Sequence, residues 1–164
     1  MKRFLALTAA LLLIFSLVSC GEDTPSADND VKKTDYYLEY NGVRIDVGAP
    51  AQPTISQLGS YTSEDGEACG TDEKDVIYTF SGFEIETHVK GSDEYIRLIK
   101  ILNDGVLTHR EITIGDGREK VIHAYGKDYT EGAGGAIRYE GASSTIEFHF
   151  GASGSVSNIY IRMK

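Results

Sequence analysis

Tryptophan is absent from this 164-residue chain, and there are only two cysteines, three prolines and two methionines. The cysteines, Cys20 and Cys69, stand far apart, and no Cys/His pair has the spacing of a zinc site. Basic residues are few, 16 against 25 acidic ones, for a net charge of −9. An acidic surface repels phosphate backbones and anionic headgroups, which excludes nucleic acid as a partner. Several chemical motifs are missing too. No Gly-x-Ser-x-Gly elbow occurs, and "GASS" and "GASGS" read as hairpin turns. There is no Walker loop, and the calcium-loop frame is missing from the acidic stretch "TSEDGEACGTDEKD", which reads as a solvated loop.

A long apolar run occurs once, from Phe4 to Leu17, behind Lys2 and Arg3. A short positive region followed by an apolar segment of this length is a secretory signal, spanning residues 1–19. It ends Leu17-Val18-Ser19-Cys20, which resembles the lipobox of bacterial lipoproteins. The resemblance implies that Cys20 is lipidated and begins the mature chain, held by its acyl chains on the extracytoplasmic face of the bacterial cell membrane. Cys69 then has no partner for an intramolecular disulfide, and stability must come from a hydrophobic core. Loss of Lys2 and Arg3 with the signal takes the net charge from −9 to −11. Gly21 to Thr34, "GEDTPSADNDVKKT", has little to bury, so residues 20–35 read as the lipidated cysteine and a flexible tether.

Beyond the tether the chain overlays on itself. Ile112-Thr113-Ile114-Gly115 falls on Ile45-Asp46-Val47-Gly48, and Tyr125-Gly126 on Leu58-Gly59, both offset by 67. Thr145-Ile146-Glu147-Phe148-His149 then falls on Glu84-Ile85-Glu86-Thr87-His88, and Ile159-Tyr160-Ile161 on Leu98-Ile99-Lys100, offset by 61. The change of offset puts a six-residue insertion in the acidic stretch. Two tandem repeats follow, 36–102 and 103–164, each expected to run strand, short helix, then three strands.

In the second repeat Glu111 to Ile114 is strand-like. Asp116 is the expected helix N-cap with Glu119 three residues on, Val121, Ile122 and Tyr125 make an apolar stripe, and Gly126 is the stop. In the first repeat Pro50 and Pro53 restrict the helix to a turn or two. Phe83, Ile85, Thr87 and Val89 alternate with Glu84, Glu86, His88 and Lys90, which predicts a strand with one buried and one wet face. Ile146, Phe148 and Phe150 repeat the pattern against Thr145, Glu147 and His149. Asn41-Gly42 predicts a tight hairpin. The expected fold class is α+β: one mostly antiparallel sheet assembly with short helices on one face.

"ITIGDGREKVIHAYG", Ile112 to Gly126, is similar to the signature of the β-lactamase-inhibitor-protein-like fold, and the mature region as a whole resembles cell-surface lipoproteins of Firmicutes. Prolines depart from the signature in the first repeat, and Asp116 departs from it in the second. The resemblance implies a long concave sheet that binds other proteins through its surface.

The glycines of the same stretch do not form a dinucleotide loop, because Lys120 stands where the third glycine belongs and Asp116 would repel phosphate. Glu86-x-His88 and Glu147-x-His149 occupy matching positions in the overlay. On a strand, residues two apart share a face. Glu84, Glu86, His88, Glu147 and His149 are therefore the candidate partner-binding face. A metal site there and an ordinary solvated face are the competing readings, and no metal or cofactor is expected. Ten tyrosines suit a contact surface, or else a core. The expectation is a non-enzymatic, membrane-anchored lipoprotein that binds a protein or peptide. An inhibitor-like regulator or enzyme acting on cell-wall or secreted substrates is the alternative.

Overall fold

The computed structural model describes residues 35–68 and 73–164, so the signal peptide, Cys20, the tether through Thr34 and Cys69 lie outside the described residues. The described chain opens with a hairpin of β1 (Tyr37–Tyr40) and β2 (Val43–Asp46). Asn41 and Gly42 have φ of 51° and 77°, the two left-handed positions a tight two-residue hairpin requires. Helix α1 (Ala51–Ile55) leads into β3 (Thr62–Ala68), β4 (Glu73–Thr79), β5 (Phe83–Lys90) and β6 (Asp93–Ile101). After a long connection, α2 (Arg118–Tyr125) leads into β7 (Thr130–Glu131), β8 (Ile137–Glu140), β9 (Ser144–Phe150) and β10 (Val156–Met163).

The eight strands β3 to β10 form one antiparallel sheet in the order β3-β4-β5-β6-β10-β9-β8-β7. Two four-stranded meanders thus meet at β6·β10, where Lys100 stands opposite Tyr160. The fold is α+β, mostly antiparallel sheet with few short helices.

One face of the sheet carries the core. Phe83, Ile85, Ile96, Ile99, Ile101, Ile146, Phe148, Ile159 and Ile161 are all fully buried. They are covered by Leu38 and Ile45 of the hairpin, Ala51 and Ile55 of α1, and Val121 and Tyr125 of α2. Each such aliphatic side chain contributes about 1.5–3 kcal/mol on full burial. Helices of five and eight residues are too short to hold alone, and this packing is what keeps them. Four tyrosines, Tyr36, Tyr78, Tyr125 and Tyr139, belong to the core rather than to a contact surface.

Several expectations are corrected. Glu111 to Ile114 is not a strand: Ile112 pairs back on Thr108, and Gly115 N–H donates to Val156 O at 2.8 Å. A strand there would need a free edge, but β10 already lies between β6 and β9 and offers only its first residue. Each helix is followed by four strands, not three. After α1 the additional strand is β3, inside the acidic stretch expected to be a loop, and after α2 it is β7, only two residues long. Both are sheet edges, where polar residues suit the exposed ladder. Asp116 does not cap α2. Gly117 is the N-cap, while Asp116 accepts the Thr113 N–H at 2.9 Å and pairs with Lys120 at 2.9 Å. Gly126, with φ of 93°, ends the helix as expected.

The overlay of Ile159 and Ile161 on Leu98 and Lys100 is also one residue out. Ile99 and Ile101, not Leu98 and Lys100, are the buried residues in this part of β6, and a one-residue slip exchanges the two faces. A bulge accompanies the change, since Glu86 faces Leu98 while Thr87 faces Ile96, leaving Arg97 extra. Ser157 is extra in the same way on β10.

Candidate functional site: the uncovered face of the sheet

Among the described residues no element covers the face opposite the core, and all five sequence-expected residues lie on it, half-buried. The pleat explains this: Phe83, Ile85 and Thr87 turn inward, so Glu84, Glu86 and His88 turn outward. The same holds for Glu147 and His149 against Ile146 and Phe148.

A central row crosses the sheet from Glu84 to Lys100, Tyr160, Glu147 and Arg138. Glu84 Oε2 lies 3.3 Å from Lys100 Nζ. Glu147 Oε2 accepts from Arg138 Nη2 at 2.6 Å and Nε at 2.9 Å, and its other oxygen meets His149 Nε2 closely. Burial alone would raise the Glu147 carboxyl, but the Arg138 and His149 donors outweigh it and hold it below the usual value.

Towards one end of the face a second network forms. Arg97, pushed out by the bulge, pairs with Glu86 and with Asp75 at 3.0 Å. Asp75 Oδ1 lies 2.8 Å from His88 Nδ1, and His88 Nε2 lies 3.6 Å from Glu73, which holds Lys90 at 2.7 Å. Lys90 and His88 keep the Glu73 carboxyl below its usual value. Asp75 is buried at the centre of this network and its partners shade outward to exposed Lys90, so the outer pairs order the side chains more than they stabilise the fold.

The two Glu-x-His pairs do not gather. Strands β6 and β10 stand between β5 and β9, and three strand spacings amount to about 14 Å. Their matching is also corrected. Glu84, not Glu86, shares the row of Glu147, and because β5 and β9 run in opposite directions His88 and His149 lie towards opposite ends of the sheet. Among the described residues, no group of three or more His, Cys, Asp or Glu is placed to hold a metal ion.

What the sequence reading missed is the apolar centre. Ile77, Leu98 and Tyr160 line a shallow depression of about 230 Å³ whose remaining wall is Glu84, Glu86 and Lys100. The Arg162 guanidinium lies 4.7 Å from the Tyr160 ring centre. Leu98 faces outward only because the bulge at Arg97 reverses the alternation begun at Ile96, and no local residue pattern announces such a bulge.

No protein-family model, no curated protein and no solved structure matches this chain.

Proposed function

We propose that this chain is a lipid-anchored extracytoplasmic bacterial protein without catalytic activity that binds a protein or peptide segment through the uncovered face of its sheet. The observation that carries the reading is the make-up of that face. An apolar centre of Ile77, Leu98 and Tyr160 is ringed by ordered ion pairs, as in protein interfaces with an apolar core and polar rim. The ending Leu17-Val18-Ser19-Cys20 supports the anchor, and the acidic tether would hold the sheet off the membrane.

The two meanders are, in this reading, tandem repeats of one ancestral unit. Their helix-then-four-strand order supports it, as do the bulge residues Arg97 and Ser157. So does a shared bond pattern: Gly48 N–H to Ile96 O at 2.6 Å, and Gly115 N–H to Val156 O at 2.8 Å. The likeness of Ile112–Gly126 to the β-lactamase-inhibitor-protein-like signature belongs to the same reading.

A photo-crosslinking side chain at position 160, compared with one at exposed Leu107 in the connection before α2, tests the face in intact cells. One discrete adduct from position 160 is expected, lost in Leu98→Glu and absent from position 107. Equal adducts from both positions, or an adduct indifferent to Leu98→Glu, would refute the face. For the anchor, Cys20→Ala should move the protein out of the membrane fraction, and unchanged fractionation would refute lipidation.

A further inference from the structure

At the end of the β5–β6 hairpin, on the side of α1, lies a groove of about 390 Å³ with Pro50, Pro53 and Tyr95 among its walls and Gln52, Ser92, Asp93 and Glu94 among its polar groups. Glu94 differs from the other half-buried carboxylates of the sheet. Asp75, Glu86 and Glu147 each pair with an arginine. Among the described residues, the side chains that donate to Glu94 are neutral: Oε1 accepts from Thr87 Oγ1 at 2.7 Å and Tyr78 Oη at 2.9 Å, and Oε2 accepts from Gln52 Nε2 at 2.7 Å.

Burial raises the Glu94 carboxyl, but these three donors and the charge of Lys74 outweigh it and leave it below the usual value, so it is ionised at neutral pH. Lys74 is itself paired with Asp65 at 2.8 Å. Tyr78, pushed up to about 12 by burial and by its bond to Glu94, keeps its proton and remains a donor. A carboxylate accepts about four hydrogen bonds. Among the described residues three donors reach it, two on Oε1 and one on Oε2, and Glu94 itself lines the groove. None of the residues lining the groove is a cation, so a cation placed there would meet only acidic charge.

The other meander shows what closes such a corner. The first residue of α2 is Arg118, and its guanidinium lies 5.2 Å from the Phe150 ring centre and 5.7 Å from that of Tyr129, bonded to Glu131 and to Gly135 O. The first residue of α1 is Ala51, which brings no cation, and the residues facing the corner are Tyr78 and Thr87.

We infer that the groove beside Glu94 receives an arginine or lysine side chain from a protein segment, its charged head on Glu94 with Asp93 adding negative charge at the rim, and its aliphatic stem against Pro50 and Pro53. The site stands apart from the apolar centre of the open face and does not depend on it.

The test is an NMR titration of the isotope-labelled full chain in detergent micelles with acetyl-Gly-Arg-Gly-amide, its neutral citrulline counterpart, and ethylguanidinium as a free cation. The arginine peptide should shift the amides of residues 48–53 and 92–96 with millimolar affinity, and the citrulline peptide should not. Glu94→Gln, which keeps the side-chain shape, should weaken binding about tenfold or more, equivalent to the loss of one charge-assisted bond. Asp93→Asn, at an exposed rim position that cannot disturb the fold, should weaken it less, and Leu98→Glu not at all. Equal shifts with the citrulline peptide, or unchanged affinity in both acidic variants, would overturn the site. Ethylguanidinium binding as tightly as the peptide would overturn the protein segment as its occupant.

Discussion

Phe148 and His149 are neighbours on β9, and truncating each to alanine should have opposite consequences. Phe148 is fully buried, paired across the sheet with Ile137 and Ile159. Its ring centre lies 5.0 Å from that of Tyr125 on α2 and 6.3 Å from that of Tyr139 on β8, both edge-on. Phe148→Ala removes the transfer energy of a buried ring and leaves a cavity that a rigid sheet cannot close, together about 3–5 kcal/mol. The edge-on pairs add about 0.5–1.5 kcal/mol each to what the ring contributes. Against a typical domain stability of about 5–15 kcal/mol this is a large share. Tyr125 also loses its floor, and α2 at eight residues cannot stand alone. His149→Ala, on the open face, removes a partner of Glu147 that Arg138 still holds, and should cost no more than about 0.5 kcal/mol. Urea unfolding measures both through the shift in midpoint at constant slope. Hydrogen exchange at the Gly126 amide, which closes α2 on Ile122 O at 2.8 Å, reports whether the helix loosens first in Phe148→Ala. Equal costs for the two variants, or a Phe148→Ala cost below about 1 kcal/mol, would refute the assignment of buried and open faces.

His109 supplies a prediction about pH. Its ring stacks on Tyr37 at 4.6 Å and meets Tyr36 and Tyr125, its Nδ1 is buried with no hydrogen-bond partner among the described residues, and burial followed by the Arg110 charge lowers its pKa from 6.5. The unfolded chain therefore binds the proton more readily, so stability should be constant above pH 6.5 and fall as pH drops below it. The wild type should lose urea midpoint between neutral and mildly acidic pH, and His109→Gln should lose less; parallel losses in both would exclude His109 as the cause. Gly82 supplies the other. It has φ of +101°, and a Cβ there would stand 2.7 Å from Val106 Cγ2 and 2.8 Å from Asn103 Oδ1. Gly82→Ala should cost about 1–3 kcal/mol in urea unfolding, through backbone strain and overpacking, whereas no measurable loss would mean the turn can rearrange freely.

Local pattern made much of the sheet legible. The alternation from Phe83 to Lys90 marked both faces of β5, Asn41-Gly42 marked the hairpin, and Gly126 marked the end of α2. All three are properties of a few adjacent residues: side-chain period, tolerance of positive φ, and helix termination. The edge strand β3 escaped because Thr62 to Asp65 are exposed and polar, and only pairing with β4 makes them a strand. Asp116 looked like a cap because capping residues are recognised by type, yet its carboxylate was drawn to Lys120 and the Thr113 amide instead.

The sequence by itself determined which strands have a wet side and which residues stand on it, because alternation along a strand is a local geometric consequence of the pleat. It also placed Leu17-Val18-Ser19-Cys20 directly behind an apolar run, a purely linear feature. Only the tertiary structure decided that β6 and β10 lie between β5 and β9, which separates the two Glu-x-His pairs. Only there does Arg97 bulge, turning Leu98 outward beside Ile77 and Tyr160, and only there is Glu94 held by Tyr78, Thr87 and Gln52. Strand order and bulges are settled by pairing between residues distant in the chain, in competition for the same edges and the same core. No short window of sequence contains that competition.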